Sequence, residues 1–254
     1  MSVIKEDPFL SISSQIQLLD KGLAVLNLAC GEHQKKQLLD FAALLLKWNR
    51  VYNLTSISDP QQIIIKHLLD SLTLVPFLQD PESSLEPASS LEPVNSPELM
   101  DSHKAGKRII DVGTGAGLPG LPLAIMFPDY EFVLLDSNNK KTRFIVQAVS
   151  ELGLKNCCVE TLPVQDFQPD RHFDIVTSRA FTSLTEMVEK TAHLCAKNGL
   201  FLLMKGTFPT QELETLPDEV IVRSVDRVDV PGLDAVRHIV CLQHKAYSQI
   251  RPDE

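Results

Sequence analysis

The sequence predicts an α/β fold: a mostly parallel, doubly wound sheet finished by an antiparallel C-terminal edge pair, with a helical extension in front of it. Three observations predict it. From residue 108 onward, short apolar runs suited to strands (108–112, 131–135, 157–160, 173–177, 200–204) alternate with helical stretches near 121–127, 140–152 and 184–196. A glycine-rich turn follows the first of those runs. The tail then breaks the alternation, because residues 220–228 and 237–243 are two strand-like runs flanking Pro231-Gly232. Strands separated by helices cross over to parallel neighbours, and such sheets bind ligands at the carboxyl ends of their strands.

Taken in order, the first third reads as helices. Leu38, Phe41, Ala42, Leu45, Leu46, Trp48 and Asn49 follow helical spacing. Asp59-Pro60 is an N-cap with proline at the first helical position, ahead of Ile63, Ile64, His67, Leu68 and Ser71. We therefore expect a helical subdomain over 1–78 that docks on the sheet domain. Residues 79–107 change character: Ser83-Ser84-Leu85-Glu86-Pro87-Ala88 is nearly repeated by Ser89-Ser90-Leu91-Glu92-Pro93-Val94. A duplication so poor in apolar residues buries nothing, so this stretch is expected to be a flexible linker between the helices and the doubly wound sheet domain over 108–254.

Composition narrows the class. A chain of 254 residues can bury a sizeable core without disulfides or metals. Its five cysteines include no Cys-x-x-Cys, which argues against a disulfide framework or a zinc ribbon and fits a reducing cytoplasm. Acids and Pro8 stand where a signal peptide would have its apolar stretch, and no apolar run approaches the roughly 20 residues of a membrane span. A cytoplasmic protein without membrane or metal partners, and monomeric, is expected. The net charge of −9 tells against a broadly basic nucleic-acid surface. The acidity is not in the first third, which carries 7 basic and 7 acidic residues, so a local basic patch is still open to it.

The chemistry concentrates in Asp111-Val-Gly113-Thr-Gly115-Ala-Gly117-Leu118-Pro119-Gly120. A strand, three closely spaced glycines and a helix start form a turn that lets backbone approach a ligand. Two cofactors compete for it. Gly115-x-Gly117-x-x-Gly120 matches the dinucleotide fingerprint, whereas Asp111-x-Gly113-x-Gly115-x-Gly117 matches an S-adenosylmethionine loop. Both expect an acid at the end of the second strand for ribose hydroxyls, and Asp136 supplies it. Asp111 favours the methyl donor, because an acid can hold the donor's ammonium group and a pyrophosphate has no cation to offer. Pro119 also removes an N–H that a pyrophosphate would use. A parallel sheet finished by an antiparallel pair is, in addition, the pattern of the Rossmann-like class I S-adenosylmethionine-dependent methyltransferases.

The acceptor atom is narrowed by what is missing. Amine methylation usually employs an Asn/Asp-Pro-Pro-aromatic turn after the fourth strand, where this chain has Thr177-Ser178-Arg179-Ala180-Phe181. Pyrimidine C5 methylation requires a cysteine nucleophile, and Cys157-Cys158 lacks a supporting motif. A ring nitrogen such as purine N7 has an in-plane lone pair and no proton to lose, so it needs orientation more than a base.

Eight dispersed motifs then carry a resemblance. Lys47-Trp48-Asn49, Tyr52-Asn53-Leu54-Thr55-Ser56, His67-Leu-Leu-Asp70-Ser71-Leu72, the Asp111–Gly120 turn, Leu135-Asp136-Ser137, Ser178-Arg179-Ala180-Phe181, Lys205-Gly206 and Arg237-His238 occur in the order of one family. Over about residues 35–244 the chain resembles the bacterial 16S ribosomal RNA guanine-N7 methyltransferase family, also called glucose-inhibited division protein B. The resemblance implies a Rossmann-like domain with an N-terminal helical extension. It implies methylation of a guanine in the 530 loop of 16S ribosomal RNA, position 527 of that RNA, in the small ribosomal subunit. It further implies cofactor contacts from Gly113, Leu118, Val164, Gln165 and Arg179, with Asp136 on the ribose. Where the family has Arg followed by Ala-Glu or Val-Glu, this chain has Pro163-Val164-Gln165.

Position suggests further roles. Arg179 ends the fourth strand, where it can position cofactor or substrate without acting as a base. Lys140, Lys141 and Arg143 open the helix after Asp136, and Lys205 ends the fifth strand; all four are expected to meet RNA. Plainer outcomes stand beside these. Arginines at such strand ends often pair with a neighbouring acid, Trp48 at helical spacing with Leu45 suits a core, and His67 suits a histidine satisfied by a nearby carboxylate. Two other functions fit the same sequence: a nicotinamide-dependent oxidoreductase using the Gly115 to Gly120 match, and a non-catalytic ribosome-assembly factor that kept the fold.

Overall fold

The computed structural model describes residues 12–79, 106–179 and 183–245. Among these, seven strands form one sheet: β1 (Arg108–Val112), β2 (Glu131–Leu135), β3 (Cys157–Glu160), β4 (Phe173–Arg179), β5 (Cys195–Lys205), β6 (Val220–Asp229) and β7 (Val236–His244). Their order is β3-β2-β1-β4-β5-β7-β6. The first five run parallel, and β7 is antiparallel to both β5 and β6. The expected parallel sheet with an antiparallel edge pair is therefore present. The chain leaves β1 toward β2 and β3 and returns on the other side as β4, so the switch point lies at the carboxyl ends of β1 and β4, where a doubly wound sheet opens a crevice.

The two faces of the sheet are covered differently. Ile110, Val112, Val133 and Leu135 point to the face covered by α8 (Leu184–Thr191), through Leu184, Met187 and Val188. Ile109, Phe132 and Leu134 point to the other, which is shared with the N-terminal helices. There α1 (Ile12–Val25) contributes Leu19 and Leu23, and α2 (Glu32–Tyr52) contributes Leu38, Phe41 and Leu45, none more than 3% exposed. Alternating strand residues thus serve two cores, and the helical extension completes one of them.

Asp59 caps α3 (Pro60–Ile63) as the sequence indicates, its Oδ1 accepting from the Gln62 amide at 2.8 Å. The next turns depart from a regular helix. Residues Ile64–Leu69 wind as a π-helix before α4 (Asp70–Leu72) and α5 (Val75–Gln79). The wider turn shifts the phase of the side chains, so the Lys66 carbonyl, His67 and Asp70 all face the end of β4.

The remaining α-helices among the described residues are α6 (Gly120–Met126), α7 (Asn139–Leu152) and α9 (Thr210–Glu214). The Asn138 side chain caps α7 by accepting from the Lys140 and Lys141 amides, and left-handed Gly153 ends it. One expected helix is corrected: the stretch 184–196 is α-helical only to Thr191, and Cys195 already belongs to β5. Pairing of Cys195 with Phe173 across a bulge outweighs the local helical pattern. The linker expected over 79–107 lies almost wholly outside the described residues. No helix among them is long and apolar enough to cross a membrane.

Gly120 shows how tightly the turn is built into the sheet. A Cβ there would lie 2.1 Å from Leu134 Cδ2 and 2.9 Å from Asp111 Oδ2, both fully buried. Gly120→Ala should therefore cost about 2 to 3 kcal/mol, the penalty of overpacking a core that cannot yield. Urea unfolding monitored by circular dichroism checks this; an unchanged midpoint would mean the strand can move aside.

Candidate active site at the ends of β1, β2 and β4

Asp111, the fourth residue of β1, is fully buried. Its Oδ2 accepts from Thr114 Oγ1 at 2.6 Å and from the Gly120 amide at 2.8 Å, tying the glycine turn to the start of α6. Its Oδ1 is buried with no hydrogen-bond partner. Burial pushes the carboxyl up to about 6, against the opposing pull of Thr114, the Gly120 amide and the Arg179 guanidinium.

Gly113, Gly115 and Gly117 all have positive φ, at 67°, 61° and 80°. A side chain at any of the three would be strained. Beside Gly115 there is also open space, since a Cβ would meet nothing closer than 3.9 Å. Most amides of the turn are already engaged. Those of Gly113 and Thr114 donate to the Leu135 carbonyl, and those of Gly117 and Leu118 to the Thr114 carbonyl. Gly115 donates to Asp136 Oδ2 at 2.9 Å, Gly120 to Asp111, and Leu121 to the Gly117 carbonyl. With proline at 119, the helix start has little left for a pyrophosphate, which binds through such amides.

Asp136 follows β2 and is 8% exposed. Each of its oxygens takes one backbone N–H, from Gly115 and from Asn138, which fixes the carboxylate and leaves lone pairs facing outward. A cleft of about 430 Å³ opens beside it, lined among others by Gly113, Asp136, Lys141, Val164 and Gln165. Four of the expected cofactor residues are thus brought together there. Leu118 is not among them: its side chain is 3% exposed and belongs to the core. Lys140 and Arg143 are exposed on the first turns of α7, and Lys141 reaches the cleft itself.

Arg179 is the last residue of β4. Its guanidinium donates to the Lys66 carbonyl at 3.0 Å and to Asp70 Oδ2 at 3.2 Å, while Asp70 Oδ1 accepts from Arg237 Nε at 2.8 Å. Asp70 is 3% exposed and is shared by two arginines from β4 and β7. The plainer outcome for Arg179, pairing with an acid, is therefore realised, and it leaves the side chain at the mouth of the crevice. The expectation for His67 is corrected. The carboxylate goes to the arginines, and His67 lies 2.8 Å from Thr55 Oγ1 and 3.4 Å from the Arg179 terminal nitrogens. Burial, then Arg179, push its pKa down to about 4, so the imidazole is neutral at physiological pH. Ala180 and Phe181 fall outside the described residues.

Lys205 Nζ donates to Glu212 Oε2 at 2.7 Å, an oxygen that also accepts the Leu184 amide. The cysteines offer no nucleophile: burial raises Cys157 and Cys195 to about 12 and Cys241 to about 11. Sequence reasoning gave three participants no role, although Arg237 stands in one of the motifs it singled out. Arg237 and Glu212 become partners of Asp70 and Lys205 only through pairing of distant elements, and a buried acid on an apolar helix was the one signal that Asp70 needed a cation. Lys190 lines the cleft from α8 with no signal in the chain to mark it.

A family model described as rRNA small subunit methyltransferase G matches residues 34–86 and 90–240. This chain belongs to that family. Proteins named ribosomal RNA small subunit methyltransferase G are similar over nearly their whole length. The one from Laribacter hongkongensis is 44% identical over 88% of this chain and 96% of its own. Those of Chromobacterium violaceum and Vibrio atlanticus are 45% and 41% identical, over 87% and 92% of this chain and 94% and 100% of theirs. Among solved structures, TrmN from Thermus thermophilus is similar at 19% identity and a TM-score of 0.46, over 55% of this chain and 44% of that one. Precorrin-6y C5,15-methyltransferase from Geobacter metallireducens is similar at 17% and 0.45, over 55% and 80%. Membership of the methyltransferase G family leaves the nicotinamide reading of the glycine turn without support, in agreement with its engaged amides.

Proposed function

We propose that this protein is a cytoplasmic, monomeric methyltransferase that uses S-adenosylmethionine to methylate N7 of a guanine in the 530 loop of 16S ribosomal RNA, position 527 of that RNA, within the small ribosomal subunit. The observation that carries the reading is the buried Asp111 carboxylate with one unpartnered oxygen, at the foot of a turn most of whose amides are satisfied internally. That oxygen suits an ammonium group. Asp136 suits ribose hydroxyls through its outward lone pairs, and Val164 and Gln165 close the far side of the cleft toward the adenine. Gly113, Gly115 and Gly117 keep the floor low enough for backbone approach, with Leu118 buttressing it from the core.

Bound there, S-adenosylmethionine supplies an electrophilic methyl group. The protein's part is to align the acceptor and exclude water. Guanine N7 has no proton to lose, so no general base is required, which agrees with a site where His67 is paired away and no thiolate is present. Arg179, held by Asp70 at the end of β4, is the positioning residue. Lys140, Lys141 and Arg143 take RNA phosphates on the rim, and Lys205 approaches the same end of the sheet as the partner of Glu212.

Two measurements test this. Calorimetry should show saturable binding of S-adenosylmethionine and none of NAD. Incubation with the donor and small-subunit particles lacking the modification, followed by borohydride and aniline, should cleave the RNA once, in the 530 loop. Methyl incorporation without that cleavage would refute the N7 assignment, and NAD binding in place of the donor would refute the cofactor.

A further inference from the structure

One exposed face beside the cleft takes no part in holding the cofactor. The helices α2 and α7 pack antiparallel: near one end Gln37 Nε2 donates to the Leu152 carbonyl at 2.8 Å, and near the other the Trp48 ring lies 5.7 Å from that of Phe144. The C-terminal turn of α2 therefore sits beside the first turns of α7, the end that adjoins the cleft. There Tyr52 stacks on Trp48 with ring centroids 5.2 Å apart and 27° between planes. Tyr52 is 44% exposed, and neighbouring Val51 is 71% exposed. A groove of about 410 Å³ runs along this seam, lined by Lys47, Trp48, Val51, Tyr52, Gln147 and Glu151.

The charges around the groove are uneven. Glu151 marks the end remote from the cleft, where it accepts from Gln147 Nε2. Toward the cleft, the helical stripe through Gln147 continues to Arg143 and Lys140. Among the described residues Lys47, Lys140, Lys141 and Arg143 form no ion pair, whereas Lys35, Lys36, Lys190 and Lys205 each do. Lys47 also lines a neighbouring groove with Asp40 and Glu151 yet pairs with neither. In a protein of net charge −9, cations that form no ion pair beside an exposed aromatic stack complement a partner that carries both phosphates and flat bases.

We propose that this α2–α7 face binds a single-stranded stretch of the RNA substrate next to the target nucleotide. One base stacks on Tyr52, backed by Trp48, and Lys47, Lys140 and Arg143 contact phosphates on either side. The inference rests on the reading of the substrate as RNA. It adds a second anchor, outside the cleft, that holds the strand while the target base enters. Single strands suit it because their bases can leave the stack to lie on an aromatic ring.

Trp48 is the only tryptophan, so its fluorescence reports this face directly. Poly(A), as a single-stranded probe, should quench Trp48 emission, whereas inorganic polyphosphate at equal charge should not. Tyr52→Leu should weaken poly(A) binding roughly tenfold and Tyr52→Phe should restore it, the range expected for one stacked base. Lys47→Gln and Arg143→Gln should each lower the slope of log affinity against log salt by about one. With small-subunit particles, Tyr52→Leu should raise KM with kcat and donor affinity unchanged; melting temperatures of both Tyr52 variants separate loss of contact from loss of fold. Equal binding of polyphosphate, absence of quenching, or an unchanged particle KM in folded Tyr52→Leu would overturn the inference. A wild-type protein that methylates no ribosomal particle at all would instead overturn the function on which it rests.

Discussion

Asp111→Asn is expected to abolish useful binding of S-adenosylmethionine while leaving the fold at least as stable as before. The asparagine oxygen can keep the bonds from Thr114 and Gly120, which maintain the turn. Its amide nitrogen would then stand where the unpartnered Oδ1 now is, presenting a donor to an ammonium group. Removing one member of a buried charge pair costs roughly 2 to 5 kcal/mol, so donor affinity should fall on the order of a hundredfold or more. Stability should move the other way with pH. The folded carboxyl titrates at about 6, above its unfolded value of 3.8. Between those values the folded state keeps a proton that the unfolded chain has lost, so this residue's contribution to stability falls as pH rises through the window. The asparagine variant should lack that fall. Donor affinity of the wild type should rise as pH climbs through about 6 and then level off, because only the carboxylate attracts the ammonium. Calorimetry and thermal melts across this range check both; full donor affinity in folded Asp111→Asn would remove the residue from the site.

Arg179→Ala should retain the fold and lose most methyl transfer. Asp70 keeps Arg237 at 2.8 Å when Arg179 is removed, so the buried carboxylate is not left without a cation. The lost hydrogen bonds should cost about 1 to 3 kcal/mol of stability. Activity is more sensitive, because a misplacement of about 1 Å at a reacting centre can lower a rate on the order of a hundredfold. Arg179→Lys should recover little, since an ammonium cannot reproduce the fork that engages both the Lys66 carbonyl and Asp70. The readout is the borohydride and aniline cleavage in the 530 loop, with melting temperature and donor affinity measured on the same preparations. Wild-type cleavage by a folded Arg179→Ala protein would show that the arginine only fastens the helical extension to the sheet.

These two residues also divide what can be read from a chain from what cannot. Asp111 and its glycines were legible because the turn is local: strand, positive-φ glycines and helix start follow one another within a dozen residues. The seven strands were legible for a similar reason, as apolar runs of the right length separated by helical patterns. The exceptions are informative. The stretch 184–196 lost its last turn to β5 because Cys195 found a strand partner in Phe173, 22 residues earlier in the chain, and the π-helix at Ile64–Leu69 gave no sign in a run buried on nearly every side.

The sequence alone determined the order of elements, the glycine turn with Asp111, and the acid at Asp136, since each depends on neighbours in the chain. Tertiary structure decided which charges meet. Asp70 lies 109 residues from Arg179 and 167 from Arg237, and Lys205 is claimed by Glu212 across a turn. It also decided that Val164 and Gln165 reach the cleft, that Leu118 does not, and that Tyr52 stands exposed beside the basic turn of α7. The physical reason is that backbone conformation is governed by short-range sterics and hydrogen bonding, whereas burial and charge pairing depend on which elements pack together, and that is settled only when the helices close over both faces of the sheet.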